Sequence, residues 1–410
     1  MNKYISIFFC VQIIALNLFA MQPKVTPVDY VRPQIDTHKS RWFFFSSASR
    51  PFGMVSLSPD TWTEGSWNSG YLYNSKEIRC FSHVHCWQLA GVPVMPTTGE
   101  VKGHKGMDAY KSTYSHETEI VKPGYHKVEL DTYQIRVELT STSRVGMHRY
   151  TYPAGEKANV LFDVGALLAH GKTEKAAIHR ISSKEIGGYS VLAPTSRRKK
   201  PVTVYFVARF NQNMTAFGGW EKEGKEKKLV HKNSIEGADI GGYASFGKLK
   251  KQTLLMKVGI SYVSEEQARI NLEKELAHWN FDRVKEDAFA EWNRELGKIT
   301  VEGGSEEEKI KFYTDLWHSL LGRHTFSDFN GKYIDNTGEE PVVRQVPLDN
   351  GTPTRNTYNS DAFWGSEFNL NILWSIAYPK VMSEFVSTLV DYYTNGGMIA
   401  RGPSGGNYTY

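Results

Sequence analysis

Cysteine is scarce in this chain of 410 residues. Only Cys10, Cys80 and Cys86 are present, which excludes the dense disulfide framework that holds small secreted domains together. Cys80 and Cys86 could form a disulfide in an oxidising compartment, but their spacing does not decide whether they do. A chain of this length fills hydrophobic cores of its own, and two domains are the natural expectation.

A large excess of charge of one sign is also missing. The chain has 49 Lys and Arg against 44 Asp and Glu, for a formal net charge of +5. Its basic clusters at residues 197–200 and 222–228 are short, and the second is interleaved with Glu. Nucleic-acid binders carry an organised basic stripe or motif, so we predict no nucleic-acid partner and interpret both clusters as solvated hairpin tips.

Long apolar runs are absent after residue 20, since none approaches the roughly 18 residues that a membrane span needs. Within the first 20 residues, Lys3 precedes a mostly apolar stretch and Ala20 offers a small residue for cleavage. This pattern is typical of a signal peptide, and Cys10 lacks the small neighbours of a lipidated cysteine. We therefore predict a signal peptide over residues 1–20 and an exported protein without a membrane span, located in the periplasm, at the cell surface or outside the cell.

Motifs for nucleophilic and phosphate chemistry are missing as well. The sequence has no G-x-S-x-G elbow, no P-loop and no H-E-x-x-H. Cys80, His83, His85 and Cys86 are close together, but zinc sites usually combine a C-x₂₋₄-C pair with a distant second pair. We prefer a role in which an imidazole or Trp87 lies at the rim of a ligand cleft, with ordinary core positions as the alternative.

What is present first is a pattern of strands and turns over residues 22–263. Short alternating or β-branched runs, most of them with turn residues nearby, lie at residues 125–130, 134–140, 146–152, 160–164, 202–209 and 254–262. Such runs without intervening helical patterns predict an N-terminal antiparallel β-sandwich domain.

Helical patterns begin at residue 264. Residues 264–267 have the form of a capping box, and apolar residues at helical spacing continue over residues 268–279 and 282–296. Polar residues cover the other faces of these helices, which suits helices that bridge two domains. We predict a helical linker over residues 264–304.

Residues 305–410 form a third unit that is broadly apolar. A stripe runs from Ile310 to Leu321, and helices are predicted over residues 368–377 and 379–393, the second ended by Gly396-Gly397. A tight turn is predicted at residues 328–331 and a long loop over residues 347–360. Because such helices need partners to bury their faces, we expect this unit to be the start of a domain in a truncated chain, with completion by another chain as the alternative.

Aromatic residues are plentiful, with 10 Trp, 22 Tyr and 21 Phe. Aromatic faces pack against the apolar face of a sugar, although a large sandwich core also uses many of them. Asp361 and Glu367 flank Trp364 where a loop enters a helix, and this polar and aromatic cluster suits a sugar-binding corner. A capping Asp with a solvated Glu is the alternative.

Several segments, taken together and in order, resemble glycoside hydrolase family 92. Residues 51–61, 81–85, 116–126 and 138–148 resemble the N-terminal domain of that family, and residues 311–318, 328–331 and 378–397 resemble the opening of its catalytic domain. The resemblance implies a β-sandwich joined by helices to an (α/α)₆ toroid, with the site between them. It also implies calcium-dependent, inverting removal of α-linked mannose from glycan ends.

Two departures from the family pattern bear on function. Residues 364–367 read Trp-Gly-Ser-Glu where many members have Trp-Asp followed by Arg, so the resemblance carries over Trp364 alone and indicates a divergent branch. The family's acid, base and most calcium ligands would lie after Tyr410. The resemblance therefore assigns no catalytic residue here, and this fragment of an exo-α-mannosidase is expected to be inactive alone.

The predicted sugar-facing residues, which would contact α-mannoside-containing glycans, are Trp87, Gln88, Asp361, Trp364, Glu367 and Arg401. A non-catalytic carbohydrate-binding or scaffold protein that retains the sandwich is the alternative function. The sequence does not indicate an oligomeric state.

Overall fold

The computed structural model describes residues 25–38, 46–64, 70–166, 168, 172–359 and 365–409. The predicted signal peptide lies outside the described residues, as do Asp361 and Trp364. A short helix, α1 (Pro27–Tyr30), comes first and is followed by a strand-rich region.

The strand-rich region extends to Ser261 and includes one more short helix, α2 (Met107–Tyr110), beside a 3₁₀ turn (Gly103–Lys105). Its strands are β1 (Ser58–Asp60), β2 (Glu77–Ile78), β3 (Cys80–Ser82), β4 (Val84–Cys86), β5 (Leu89–Gly91), β6 (Val94–Thr98), β7 (Ser112–Thr113), β8 (Ile120–Lys122), β9 (Tyr125–Leu130), β10 (Ile135–Ser141), β11 (Val145–Thr151), β12 (Lys157–Phe162), β13 (Thr173–Arg180), β14 (Glu185–Leu192), β15 (Val202–Phe210), β16 (Ala216–Glu223), β17 (Glu226–Val230), β18 (Ser234–Gly237), β19 (Gly241–Lys248) and β20 (Thr253–Ser261).

Two antiparallel sheets dominate this region. One has the strand order β1-β3-β6-β12-β19-β16-β17, and the other has the order β18-β13-β14-β15-β20-β11-β10-β9-β8. Their facing surfaces share one core, to which Phe162 and Trp220 contribute from the first sheet and Ile178 and Phe206 from the second. Because each strand alternates its side chains between two faces, the six runs noted in the sequence coincide with strands to within about three residues. The predicted antiparallel sandwich is confirmed.

Two long helices follow the sandwich. Helix α3 (Glu265–Glu275) begins after Ser264, whose Oγ accepts a hydrogen bond from the Gln267 amide at 3.1 Å. Helix α4 (Phe281–Leu296) begins after Asn280, which caps the Arg283 amide in the same way. The helical pattern read from the sequence thus begins where a side-chain oxygen satisfies an otherwise unpaired amide.

These helices cover the outer face of the nine-stranded sheet. Ala268 and Leu272 of α3 share a core with Met147 and Val207 of the sheet. Gly259 lies directly under α3, and a Cβ there would clash with the Ala268 carbonyl. Glycine on β20 therefore lets the helix approach the sheet closely.

The last unit contains helices α5 (Glu306–Ser319), α6 (Leu370–Ala377) and α7 (Pro379–Gly396). Ser305 and Glu308 form a capping box at the start of α5, and α7 ends at Gly397, which has a left-handed φ of 82°. Across the described residues, no helix combines the length and apolar composition needed to cross a membrane.

Short strands connect α5 to α6. They are β21 (His324–Thr325), β22 (Lys332–Asp335), β23 (Val342–Gln345), β24 (Leu348–Asp349), β25 (Thr352–Pro353) and β26 (Tyr358–Asn359). The long loop predicted over residues 347–360 contains short paired strands, since β24 pairs with β25 and β26 pairs with the distant β21. Strands of two residues are too short to show an alternating pattern. The predicted tight turn is present, because the Gly331 amide donates to the Asp328 carbonyl at 2.8 Å.

A polar seam joins the sandwich to the last unit. Arg144 pairs with Glu275 of α3 at 2.7 Å and donates from Nε to the Ser327 carbonyl at 2.8 Å. Asp328 accepts hydrogen bonds from Ser261 at 2.9 Å and Asn271 at 2.7 Å. Sheet, linker helix and last unit therefore meet in one network, and burial there raises the pKa of Asp328 to about 7.

Candidate functional site

The tip of the hairpin formed by β4 and β5 consists of Trp87 and Gln88. Tight two-residue turns usually place Gly or Asn at positions with positive φ, yet Gln88 has a φ of 64°. Both side chains are buried, with 8% and 3% of their surfaces exposed. A strained, buried residue at a hairpin tip is a feature that functional sites often share.

The segment after α7 covers this tip. Ser404 Oγ donates to the Trp87 carbonyl at 3.0 Å, and Thr409 forms a β-bridge with Arg198. Gly405 lies so close to Val202 that a Cβ would clash with the valine side chain. The structure thus brings the hairpin tip of the sandwich beside the segment that begins with Arg401, although Arg401 itself is exposed.

The Gln88 side chain is oriented by one neighbour. Its Oε1 accepts a hydrogen bond from Thr195 Oγ1 at 2.6 Å, so its amide nitrogen faces the other way. Among the described residues, that buried Nε2 has no hydrogen-bond partner. Because an unpaired buried donor costs about 1–3 kcal/mol, this position is suited to a ligand oxygen or an ordered water.

Arg198 organises the loop beneath the tip. It is fully buried and donates to the carbonyls of Ala193 at 2.8 Å, Lys200 and Gln88. Burial lowers its pKa to about 10. The interpretation of residues 197–200 as a solvated tip was therefore wrong for Arg198, whereas residues 222–228 do lie on the exposed β16–β17 hairpin. A basic run alone gave no sign of which member would turn inward.

The end of β26 also reaches this place. Asn359 Oδ1 accepts a hydrogen bond from the Gly405 amide at 2.6 Å, and Asn336 Nδ2 donates to the Gly405 carbonyl at 2.7 Å. Residues 360–364, which include the predicted Asp361 and Trp364, follow Asn359 directly in the sequence. Those two predictions lie outside the described residues.

Glu367 and its surroundings lie on the other side of residues 360–364. Glu367 is exposed, while the neighbouring Ser366 accepts a hydrogen bond from Arg323 Nη2 at 3.1 Å. Arg323 is fully buried between the rings of Trp374 and Phe385, with centroid distances of 4.3 and 3.9 Å. Arg323, Asn359 and Ser404 could not be recognised as contact residues from the sequence, because their partners are distant in sequence and no local motif marks them.

Comparison with known proteins agrees with this arrangement of a sandwich followed by helices. A model of the Glycosyl hydrolase family 92 N-terminal domain matches residues 30–261, and a model of the family 92 catalytic domain matches residues 267–410. The chain belongs to glycoside hydrolase family 92. The predicted order of an antiparallel sandwich followed by a helical part is confirmed by the solved structures of this family.

Three relatives illustrate the similarity. A protein from Arthroderma benhamiae described as an uncharacterized secreted glycosidase is 23% identical over 330 residues, which are 73% of this chain and 40% of that protein. The family GH92 α-mannosidase BT3965 from Bacteroides thetaiotaomicron has a TM-score of 0.83 and 25% identity, covering 95% of this chain and 53% of that one. The inverting mannosidase BT2199 from the same organism has a TM-score of 0.79 and 22% identity, covering 94% and 51%. The chain spans about half of the two solved enzymes and less of the fungal protein.

Two carboxylates of α7, the buried Glu384 and the half-buried Asp391, are already held by neighbours. Glu384 accepts a hydrogen bond from the Tyr358 hydroxyl at 2.8 Å, and Asp391 accepts two from Arg355, at 2.7 and 2.9 Å. A family 92 enzyme needs an acid and a base that face each other across the glycosidic bond. Among the described residues we assign neither role.

The histidines of the 80–86 segment lie in the sandwich core. His83 donates from Nδ1 to the Val92 carbonyl at 2.7 Å, so its Nε2 accepts from His148 at 2.9 Å, and His148 Nδ1 accepts from Tyr150 at 2.9 Å. Burial lowers the pKa of His83 to about 4, which keeps it neutral. This complete chain of hydrogen bonds favours the core alternative over a role at a cleft rim.

His85 and the two cysteines are buried as well. His85 Nε2 lies 2.9 Å from Asp60 Oδ1, and although burial opposes the charged form, this carboxylate raises the pKa of His85. Cys80 Sγ lies 3.4 Å from Asp60 Oδ2, and no disulfide joins Cys80 and Cys86. Their roles are therefore structural.

The described residues do not fit a calcium ion at the hairpin tip. Calcium prefers several oxygen ligands, yet the one group of three close acidic or histidine side chains found among the described residues is Asp36, Asp315 and His318. That group lies on α5 and the N-terminal segment, and it includes an imidazole. No role at the tip is therefore derived for calcium from this structure.

Proposed function

We propose that this chain is part of an exported glycoside hydrolase that removes α-linked mannose from glycan ends. The observation that carries the proposal is the buried Trp87–Gln88 tip, where the sandwich meets the segment after α7 and the end of β26. In this proposal the Gln88 amide donates to a sugar hydroxyl, and Trp87 and Arg401 lie on the same sugar-facing surface.

Family membership supports the reaction class. The relative BT3965 is an α-mannosidase that has also been solved in complex with mannoimidazole. BT2199 is described as inverting, and we propose the same stereochemical course here. Export is supported by the predicted signal peptide and by the description of the fungal relative as secreted.

We further propose that residues 1–410 do not hydrolyse mannosides by themselves. Glu384 is held by the Tyr358 hydroxyl and Asp391 by Arg355, so the acid and base are sought elsewhere in a longer enzyme. The calcium requirement rests on the family resemblance, with ligands mostly beyond residue 410. Asp361, Trp364 and Glu367 remain predicted contacts of the sugar.

The test compares two proteins, residues 22–410 and a version extended by whatever coding sequence follows. We expect the extended protein to hydrolyse aryl α-mannosides with inversion, to lose activity on chelation, and to regain it with Ca²⁺. The protein of residues 22–410 alone should bind mannosides without turnover.

Hydrolysis by residues 22–410 alone would refute the proposed division of the site. A stop codon after Tyr410, together with stable folding and glycan affinity, would instead support the non-catalytic carbohydrate-binding alternative. Retention of anomeric configuration by the extended protein would contradict an inverting mechanism.

A further inference from the structure

Asp36, Asp315 and His318 form a cluster on the N-terminal segment and α5. None of the contacts described for the hairpin tip involves them. One ligand-type atom from each side chain lies within 4.8 Å of the other two. Asp36 and Asp315 are exposed and His318 is half-buried. The cluster therefore combines two carboxylates that solvent reaches with an imidazole that the fold holds in place.

The fold brings these side chains together from two segments. Asp315 and His318 are three residues apart on α5, a spacing that places both on one helix face. The N-terminal segment is bound to the same helix, because Tyr30 stacks on Tyr313 at 5.6 Å and the Arg32 amide donates to Thr314 Oγ1 at 3.0 Å. Docking of this segment places Asp36 beside the helix.

His318 is in a state that suits metal ligation. One of its ring nitrogens is hydrogen-bonded to the Pro33 carbonyl. Because a carbonyl can only accept, that nitrogen donates its proton, and the other nitrogen of a neutral imidazole carries a lone pair. A histidine whose second nitrogen is held by a carbonyl is the usual form of a metal-binding histidine.

The ammonium group of Lys311 forms an ion pair with one carboxylate of this cluster. Its Nζ lies 2.6 and 2.5 Å from the two oxygens of Asp315, one helical turn away. The Lys311 side chain is flexible and 61% exposed, so its ammonium group is able to move away from Asp315. Its single charge would compete with a metal ion for Asp315 but would not offset both carboxylates.

We propose that Asp36, Asp315 and His318 bind one divalent transition-metal ion of the zinc class and thereby fasten the N-terminal segment to α5. One nitrogen and two carboxylate ligands suit Zn²⁺ better than Ca²⁺ or Mg²⁺, which prefer oxygen. Three protein ligands leave a position for water. This site is separate from the calcium expected for catalysis, and it does not depend on the proposed function.

The proposal is tested on untagged residues 22–410 by isothermal titration with ZnCl₂, and with CaCl₂ in parallel. We expect one zinc ion per chain and a rise in melting temperature on binding. The variants Asp36→Asn, Asp315→Asn and His318→Asn should each weaken binding by about tenfold or more, because even loss of a residue that supports a ligand costs about 10–100-fold. Asp36 is exposed, so its variant keeps the test valid if a change at His318 disturbs folding.

Two further variants separate a built site from adventitious binding. Lys311→Met should tighten zinc binding, since it removes the competing ammonium. His179→Asn should leave binding unchanged, because His179 is another partly exposed histidine beside a carboxylate, 3.2 Å from Glu265. Equal zinc affinity in the wild type and Asp36→Asn, weaker binding in Lys311→Met, or equally tight Ca²⁺ binding that is lost with Asp36→Asn would each overturn the proposal.

Discussion

The sandwich and the last helical unit bury their apolar residues to different extents. In the sandwich, two sheets cover each other and α3 and α4 cover an outer face, so strand residues such as Ile178 are 0% exposed. On α6 and just before it, Ile376 and Phe368 are 78% and 81% exposed. A contiguous apolar surface of this kind normally marks an interaction surface. One region closes its core among the described residues, and the other leaves an apolar helix face open.

The two regions are nevertheless coupled by the seam at Arg144. The guanidinium reaches Glu275, the Ser327 carbonyl and Asn356 Oδ1, and Phe52 meets Trp374 edge-on at 4.9 Å. The helical unit thus gains from the sandwich some of the burial and hydrogen bonding that its own helices lack. Changes at the seam should therefore affect both regions, whereas changes in one core should stay local.

The largest effect is expected from breaking the seam. Arg144→Met leaves Glu275 as a buried carboxylate without its partner, which should lower the free energy of unfolding by about 3–5 kcal/mol. Urea denaturation measures the loss, and the double variant with Glu275→Gln should recover part of it. Equal losses in the single and double variants would show that the unpaired Glu275 carboxylate is not the cause of the loss.

The next effect contrasts the same residue type in the two regions. Ile178→Ala should cost about 2–5 kcal/mol because it leaves a cavity in the sandwich core. Ile376→Ala, at an exposed position, should change stability by less than about 0.5 kcal/mol in the 410-residue protein. Comparable losses for both variants in urea denaturation would mean that the α6 face is covered in solution, for example by a second copy of the chain.

A smaller effect is expected in how the free energy of unfolding depends on pH, because the two regions contain buried groups with oppositely shifted pKa values. Burial lowers the pKa of His83 to about 4 and that of His148 well below its ordinary value, each from about 6.5 when unfolded. The unfolded chain therefore takes up these protons first, and the stability of the sandwich should fall as pH drops from about 6.5 towards 4. His83 alone can lower the free energy of unfolding by at most about 3 kcal/mol over this pH range.

Asp328 in the seam should show the opposite dependence. Its folded pKa of about 7 exceeds the unfolded value of 3.8, so its burial penalty is absent below pH 3.8 and complete above about pH 7. Urea denaturation at a series of pH values, with His83→Leu/His148→Leu and Asp328→Asn as separate variants, assigns the two contributions. An unchanged pH profile in the histidine variant would rule out the pair as the cause.

The smallest effect on stability is expected at the hairpin tip. Gln88→Gly relieves a positive φ worth about 1–3 kcal/mol but loses the hydrogen bond to Thr195, so stability should change by about 1 kcal/mol or less. If Gln88 contacts the sugar, kcat/KM of the extended enzyme should fall about tenfold, the equivalent of 1.4 kcal/mol. Gln252→Gly is a matched control, since Gln252 also has a positive φ, of 56°, between β19 and β20. Equal kcat/KM in the two variants would remove Gln88 from the sugar-facing set.

The sequence predicted the candidate site only in part. Trp87 and Gln88 do lie where the sandwich meets the last unit, but the partners that bury them, Ser404 and Thr195, carry no local signal. Arg198 was misread because a basic run says nothing about which side chain is desolvated. Asp361, Trp364, Glu367 and Arg401 stay predictions, and Glu367 and Arg401 are exposed.

What the sequence determined by itself was the kind of local structure and its boundaries. Period-two runs predicted strands such as β9, and Ser264 and Gly397 mark helix ends, because alternation and capping depend on neighbours within a few residues. The tertiary structure alone decided that Arg198 and His83 are buried, that Gln88 meets the segment after α7, and that Asp36 lies beside His318. Desolvation and long-range pairing depend on which distant segments come together, and a local pattern does not contain that information.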